Sequence, residues 1–297
     1  MARLGINVPN FGPEAVPEAF LDWARFAEHN GLSTLVVSDH VAPTAEVTSV
    51  YPAPFYDPFV LLSWLFPQTE RIRLGTSVAV LPYRHPLLTA RMSAMLQLLS
   101  QGRFVLGVGS GWAATEFAAL GLDVRQRGRT TDSHLGVITR AWAADTVSSS
   151  EHGFSDVATG PAPLGGGMPV WVGGAGRAAI RRAARFGTAW HPINPTLDWL
   201  RNRGLPALTA AAAEAGRPVP ALVPRIKARL QARSAGPDRP LGVGTLAQIV
   251  GDVRALTECG AAEIILDPNP DVPTRRDFAA EQRQLVEIVQ AYRQEVP

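Results

Sequence analysis

A histidine beside an aspartate closes one apolar run: TLVVSDH ends on Asp39 and His40. Successive strand side chains point to opposite faces, so one of the pair can face a site while the other packs away. An imidazole there could hold or exchange a proton near neutral pH. His191 ends TAWHP in the same manner, and Asp267 ends EIILDP. Two glycine turns also follow apolar runs. GVGSGW sets Gly107, Gly109 and Gly111 around Ser110, ahead of Trp112. Small residues there admit a flat ring or let backbone amides approach closely, and the indole either stacks on a bound ring or plugs the core. GGAGR runs from Gly173 through Gly174, Ala175 and Gly176 to Arg177 and opens a helix. Free amides at a helix start beside an arginine favour an anion such as phosphate.

Other chemistries find little to work with. The serine motif G-x-S-x-G is absent, and GVGSG lacks the G-x-G-x-x-G spacing of a dinucleotide fingerprint. No two of the 6 histidines stand at i, i+4, and Cys259 is the single cysteine, so no metal-ligand pattern and no intramolecular disulfide are expected. Lys227 is the only lysine, so a Schiff-base mechanism would have to use it. A glycosidase needs two facing carboxylates, and the strand ends clearly offer only Asp39 and Asp267. A barrel hydrolase or aldolase is therefore a remote alternative, as is a cofactor-free binding protein.

These residues must be held by elements, and apolar runs supply them. Strand-like segments at 3–9, 34–40, 73–82, 103–111, 168–174, 188–192, 225–233 and 263–268 each lead into a helical pattern. In the first, PEAFLDWARFAEHNG, Phe20, Trp23, Ala24 and Ala27 recur at helical spacing and Gly31 follows as a stop. Asp57-Pro58 reads as a cap ahead of an N1 proline. Eight strand–helix units with near-continuous apolar strands (LVV, VAVL, FVLGV, VWV, IIL) point to an α/β fold, a single (β/α)8 TIM barrel spanning 1–297 as one domain. The site then lies where strands end and helices begin. Residues 145–168 interrupt the rhythm between the fourth helix and the fifth strand, as an insertion loop that is either a lid or an exposed excursion with one short strand.

The chain carries 46% hydrophobic and 18% charged residues, a globular composition. Net charge is only +2 and the basic residues are scattered, which argues for a small-molecule partner rather than nucleic acid. Neither a secretory leader nor a membrane-length apolar run is visible, and a cytoplasmic protein is expected.

Taken together, VVSDH (36–40), LGTSVAVLPYRHPLLTAR (74–91), QGRFVLGVGSGWAATEFAALG (101–121), PVWVGGAGRAAIRRAARFGTAWHP (169–192) and GTLAQIVGDVRALTECGAAEIIL (244–266) resemble the luciferase-like family of flavin- and deazaflavin-dependent barrel oxidoreductases over essentially the whole chain. The likeness is strongest to the branch using coenzyme F420. It implies that Asp39 and His40 face the cofactor, with His40 as the proton donor or acceptor near the deazaflavin C5. It implies a non-proline cis peptide at Ser77-Val78, next to Thr76, behind the tricyclic ring. Gly109, Ser110 and Gly111 would flank that ring, and Gly173 to Arg177 would bind the cofactor's phosphate. Trp112 and His191 would meet the substrate. Where sugar-phosphate dehydrogenases of the family carry a glutamate, this chain has Trp112, which argues against a sugar phosphate and for a flatter, less charged substrate. The expected activity is hydride transfer between F420 and a small organic molecule. The alternative is an FMN-dependent monooxygenase using reduced flavin and oxygen. Loops 41–56 and 145–168 would close over the substrate, and a homodimer is expected from the resemblance.

Overall fold

Apolar runs become strands almost where their spacing puts them. The computed structural model describes residues 1–295. Strand β1 (Arg3–Asn7) leads to helix α1 (Pro17–His29), which buries Phe20, Trp23, Ala24 and Ala27 along one stripe. The chain turns out of it at Gly31, whose φ of +62° costs a residue without Cβ little. β2 (Thr34–Val37) is followed by α2 (Pro58–Leu65), and Asp57 Oδ1 caps that helix by accepting from the amides of Phe59 and Val60. Next come β3 (Arg73–Thr76), α3 (Pro86–Leu99) and β4 (Phe104–Gly109). Two helices follow β4, a short α4 (Ala114–Ala119) and a long α5 (Arg127–Ala143). β5 (Val170–Gly173), α6 (Arg177–Phe186), β6 (Ala189–His191) and α7 (Leu205–Glu214) continue the alternation. It ends with β7 (Arg225–Lys227), α8 (Leu246–Glu258), β8 (Glu263–Asp267) and α9 (Phe278–Glu295).

The main sheet is parallel and runs from β6 through β5, β4, β3 and β2 to β1, then on to β8 and β7. Ala221–Leu222 pairs with β6, while β7, three residues further on, pairs with β8. One stretch of chain thus touches both ends of the series, which requires the sheet to curl. The result is an α/β fold with a curled parallel sheet. Inside the curl, Val36, Val105, Trp171, Ala189, Val223 and Ile265 form their own buried cluster. A larger cluster outside combines outward strand residues with helix stripes, including Ile6, Leu35, Leu74, Leu106, Trp23 and Ile138. Strand residues alternate between the two clusters with the period of two.

Three expectations need correction. The run 73–82 is broken, because Leu74 and Gly75 face Phe104 and Val105 while Ala79 and Val80 face Val108 and Gly109. Four steps on one strand oppose three on the other, and the surplus residue bulges out at 77–78. The run 225–233 stops as a main-sheet strand at Lys227, and Arg229–Leu230 pairs separately with Val243–Gly244. Residues 145–168 are not a structureless excursion with one strand. They hold an antiparallel hairpin, Thr146–Ser149 with Phe154–Ala158, tied to α5 by Ser133, which hydrogen-bonds Glu151 (2.6 Å) and His152 (2.9 Å).

Candidate active site

The bulge is the first piece of the site. The Ser77–Val78 peptide is cis. The Ser77 carbonyl accepts from Arg225 Nη1 (3.0 Å), which also reaches Ser77 Oγ (3.2 Å). Ser77 Oγ lies 2.9 Å from His191 Nε2, and His191 Nδ1 lies 2.6 Å from the Val223 carbonyl. A carbonyl only accepts, so Nδ1 carries the proton and Nε2 accepts from the serine hydroxyl. Burial pushes His191 down to about 4; the carbonyl bond opposes that shift and the Arg225 charge adds to it. His191 is therefore a neutral strut behind the bulge, fully buried and off the cleft wall, rather than a substrate contact.

The neighbouring glycines serve this bulge. A Cβ on Gly107 would overlap the Thr76 carbonyl oxygen, and one on Gly109 would come within 2.5 Å of Val78 Cγ2. Sequence spacing suggested that these glycines admit a ring directly. Instead they seat Val78, whose side chain also approaches Gly173. Thr76 lies beneath, its hydroxyl donating to the Gly107 carbonyl at 2.6 Å.

His40 stands across the cleft. Its Nδ1 is 2.6 Å from Glu116 Oε2, and Tyr83 Oη donates to the same oxygen at 2.9 Å. Glu116 Oε1 accepts from the backbone amides of Val41 (2.8 Å) and Ala42 (3.0 Å). Burial would raise the Glu116 carboxyl, but the His40 bond and charge, with the Ala42 amide and Tyr83, together hold it below its usual range. Tyr51, Phe55 and Trp112 surround the His40 ring, with centroids 5.6, 5.1 and 5.8 Å away. Trp112 is 47% exposed, so it walls the opening and does not plug the core. Asp39 points the other way: its carboxylate is gripped by Arg84 (2.6 and 2.9 Å) and by the Val80 amide (2.8 Å). It braces the far side of the bulge, although it still borders the cleft.

The cleft encloses about 1210 Å³, part of it open to solvent. Asp39, His40, Ser77, Val78, Gly109, Ser110, Gly111, Trp112, Gly173 and Gly174 all line it. Thr76, His191, Ala175, Gly176 and Arg177 do not, and the last three sit exposed at its rim. The α6 arginine that reaches the cleft is Arg182, one and a half turns further on. It is bound to Asp132 (2.7 Å), the Gly128 carbonyl (3.1 Å) and Ser110 Oγ (3.3 Å). The floor holds Arg225 paired with Asp267 (2.8 Å), and Lys227 paired with Asp271 (2.7 Å). Sequence reasoning missed Glu116, Arg182 and Tyr51. Only for Glu116 was there a signal, namely its place four residues after Trp112 at the start of a helix.

These walls suit a flat ring with a charged tail. Val78 and Val80 offer an apolar face, and α6 begins without any side chain capping its first amides. Among the described residues, no group of three or more His, Cys, Asp or Glu side chains could hold a metal ion. No helix among them is long and apolar enough to cross a membrane.

Comparison with known proteins agrees with this architecture. The model of the luciferase-like monooxygenase family matches residues 3–235. An F420-dependent glucose-6-phosphate dehydrogenase of Microbacterium testaceum is 30% identical over 208 residues, covering 68% of this chain and 60% of that one. The matched region spans only about three fifths of the length of such curated relatives. Among solved structures, an F420-dependent secondary alcohol dehydrogenase in complex with an F420-acetone adduct superposes with a TM-score of 0.77 at 17% identity, covering 98% of this chain and 99% of that one. The oxygenating constituent of 3,6-diketocamphane monooxygenase from Pseudomonas putida, in complex with FMN, gives 0.77 at 18% identity, covering 100% and 99%. At such identities these two likenesses speak for the fold alone.

Proposed function

The chain belongs to the luciferase-like monooxygenase family, and from that premise we propose that it is an F420-dependent oxidoreductase acting on a small, uncharged organic substrate. The observation that carries the reading is the cleft itself. The Ser77–Val78 bulge, the 109–112 turn and the 173–174 turn line one cavity with a carboxylate-backed histidine at its edge. Relatives named for F420 dependence support the cofactor.

F420, when bound, supplies a two-electron hydride carrier at C5. The protein positions and dries the reactants. Val78 would back the ring, Gly109, Ser110 and Gly111 would flank it, and the amides opening α6, beside Gly173 to Arg177, would receive the phosphate. His40 Nε2 would take a hydroxyl proton in the oxidative direction, or return it in the reductive one. Loop 41–56 covers this corner, held by Glu46, whose Oε2 accepts from the Thr115 amide (2.9 Å) and hydroxyl (2.7 Å).

The substrate class follows from charge. Each strong cation on the cleft wall has a carboxylate partner: Arg182 with Asp132, Arg225 with Asp267, Lys227 with Asp271. A substrate phosphate would have to break one of these pairs, whereas an uncharged molecule needs only Trp112 and its aromatic neighbours. We further read the chain as a cytoplasmic homodimer. The exposed Val60, Trp64, Leu88, Met95 and Leu99 on α2 and α3 would supply its apolar contact. The same reading takes the curled sheet as an eight-unit barrel, with 145–168 inserted between its fourth and fifth units.

The alternative is an FMN-dependent monooxygenase on the same barrel, and a protein solved with FMN shares the fold. Side-by-side fluorescence titrations separate the two. Saturable F420 binding with weak or absent FMN binding is expected, and tight FMN binding without F420 binding would transfer the assignment to the monooxygenase.

A further inference from the structure

Glu116 has no exposed surface, yet it sits at the start of a helix of only six residues beside the cleft. Three of its four hydrogen-bond partners donate to it, two amides on Oε1 and Tyr83 Oη on Oε2, and the fourth, His40 Nδ1, lies 2.6 Å from the same Oε2. With three donors already on it and its carboxyl held below the usual range, Glu116 is ionised, and an ionised carboxylate can only accept from His40 Nδ1. We propose that Glu116 is the positioning residue that fixes the His40 tautomer, with the proton on Nδ1 and the lone pair of Nε2 presented to the cleft. This rests on the role given to His40 above.

The balance of the step explains why this matters. When an alcohol is oxidised, its O–H bond breaks and the proton goes to His40 Nε2. The C–H bond breaks with its electron pair leaving as hydride for F420, and the C=O bond forms. Nε2 can accept that proton only if the neutral ring carries its hydrogen on Nδ1. The imidazolium that results faces a carboxylate at 2.6 Å, which stabilises it without taking the proton. In the reductive direction the same pair delivers the proton to the nascent alkoxide. Glu116 also holds the amides of residues 41 and 42, so the entry to the 41–56 loop is anchored by the carboxylate that orients the ring.

Glu116→Gln tests this without changing shape. Its carbonyl oxygen can keep both loop amides, but its NH2 turns towards His40 Nδ1 and requires that nitrogen to accept. Imidazole nitrogen-15 NMR of the cofactor-free protein, with the ring in its neutral form, should show Nδ1–H in wild type and Nε2–H in the variant. Turnover with F420 and a secondary alcohol should fall in kcat by about 10²–10⁴-fold, with KM and F420 affinity close to wild type. A packing role alone would lower thermal stability and weaken F420 binding while leaving the tautomer unchanged, and that result would overturn the proposal. So would an Nε2–H tautomer in wild type, a measurement that decides the matter even if the variant fails to fold. The tautomer is read without cofactor, so failure of wild type to bind F420 would sink the assigned reaction while leaving the dyad to be judged separately.

Discussion

Two histidines lie at the carboxyl ends of parallel strands, His191 as the last residue of β6 and His40 three residues past β2, and their surroundings give them opposite characters. His40 Nδ1 meets a carboxylate that is held ionised, while its ring stands among aromatic side chains at the cleft. His191 Nδ1 meets a carbonyl, Nε2 meets a hydroxyl, and the guanidinium of Arg225 lies beside them. One imidazole borders the cleft with a carboxylate behind it, the arrangement on which the proton-exchange role proposed for it rests. The other is held neutral near neutral pH. The residue type is the same and both rings stand near a strand's carboxyl end, so much of the difference comes from what the rest of the chain places behind each ring: an acid from α4 in one case, the Val223 carbonyl in the other.

The largest effect expected from this contrast is catalytic. His40→Asn should lower kcat by about 10²–10⁴-fold, with F420 binding nearly kept; some thermal stability should go with it, because the buried Glu116 gives up one of its four partners. Steady-state kinetics beside a melting curve would check it. Turnover close to wild type would break the contrast on its active side.

His191 should fail the other way. Replacing this fully buried ring by alanine leaves a cavity and takes away the acceptor for the Ser77 hydroxyl hydrogen, and about 3 kcal/mol of stability should be lost. Acid should reproduce part of that loss in the native protein. His191 and His134 are both pushed by burial from 6.5 to about 4 in the folded state. The unfolded chain therefore binds more protons between those values. Stability is full above about pH 6.5 and declines as pH falls towards 4, by up to about 3 kcal/mol for each ring. Urea midpoints measured across that range should slope accordingly, and His191→Ala should flatten the slope. A flat profile in the native protein would show that His191 takes up its proton in the fold as readily as in the unfolded chain and so is no neutral strut.

The contrast also marks what the sequence could disclose. Strand starts were legible because burial on both faces writes continuous apolar runs, and the first residues of β1, β2, β3 and β7 fall where those runs begin. The α1 stripe and the Asp57 cap were legible because they are local. The break at 77–78 was not visible in the run itself, since RLGTSVAVLP reads as one strand of β-branched and small residues; only the resemblance placed a cis bond there. Glu116 was overlooked because its partners, His40 and Tyr83, lie 76 and 33 residues away and only the fold brings them together. The same holds for Arg182. Arg177 looked better placed at the helix start, but it faces solvent at the rim, and the residue that reaches Ser110 lies five positions later.

Trp112 offers the smallest effect and the sharpest refinement. Its ring lies edge-on to His40, at 85° with centroids 5.8 Å apart, and nearly half of the residue is exposed. An aromatic contact of this kind is worth about 0.5–1.5 kcal/mol. If the indole only walls the substrate side, Trp112→Ala should raise KM for an uncharged substrate about two- to tenfold and leave kcat nearly unchanged. Trp112→Phe should recover most of the loss, since a smaller aromatic edge still covers the opening. A fall in kcat without a change in KM would assign the indole a different task, holding the His40 ring in plane from the side that Glu116 does not reach. Orientation of that imidazole would then depend on two supports, a carboxylate at Nδ1 and an indole across the ring, whereas His191 keeps its orientation through hydrogen bonds at both nitrogens.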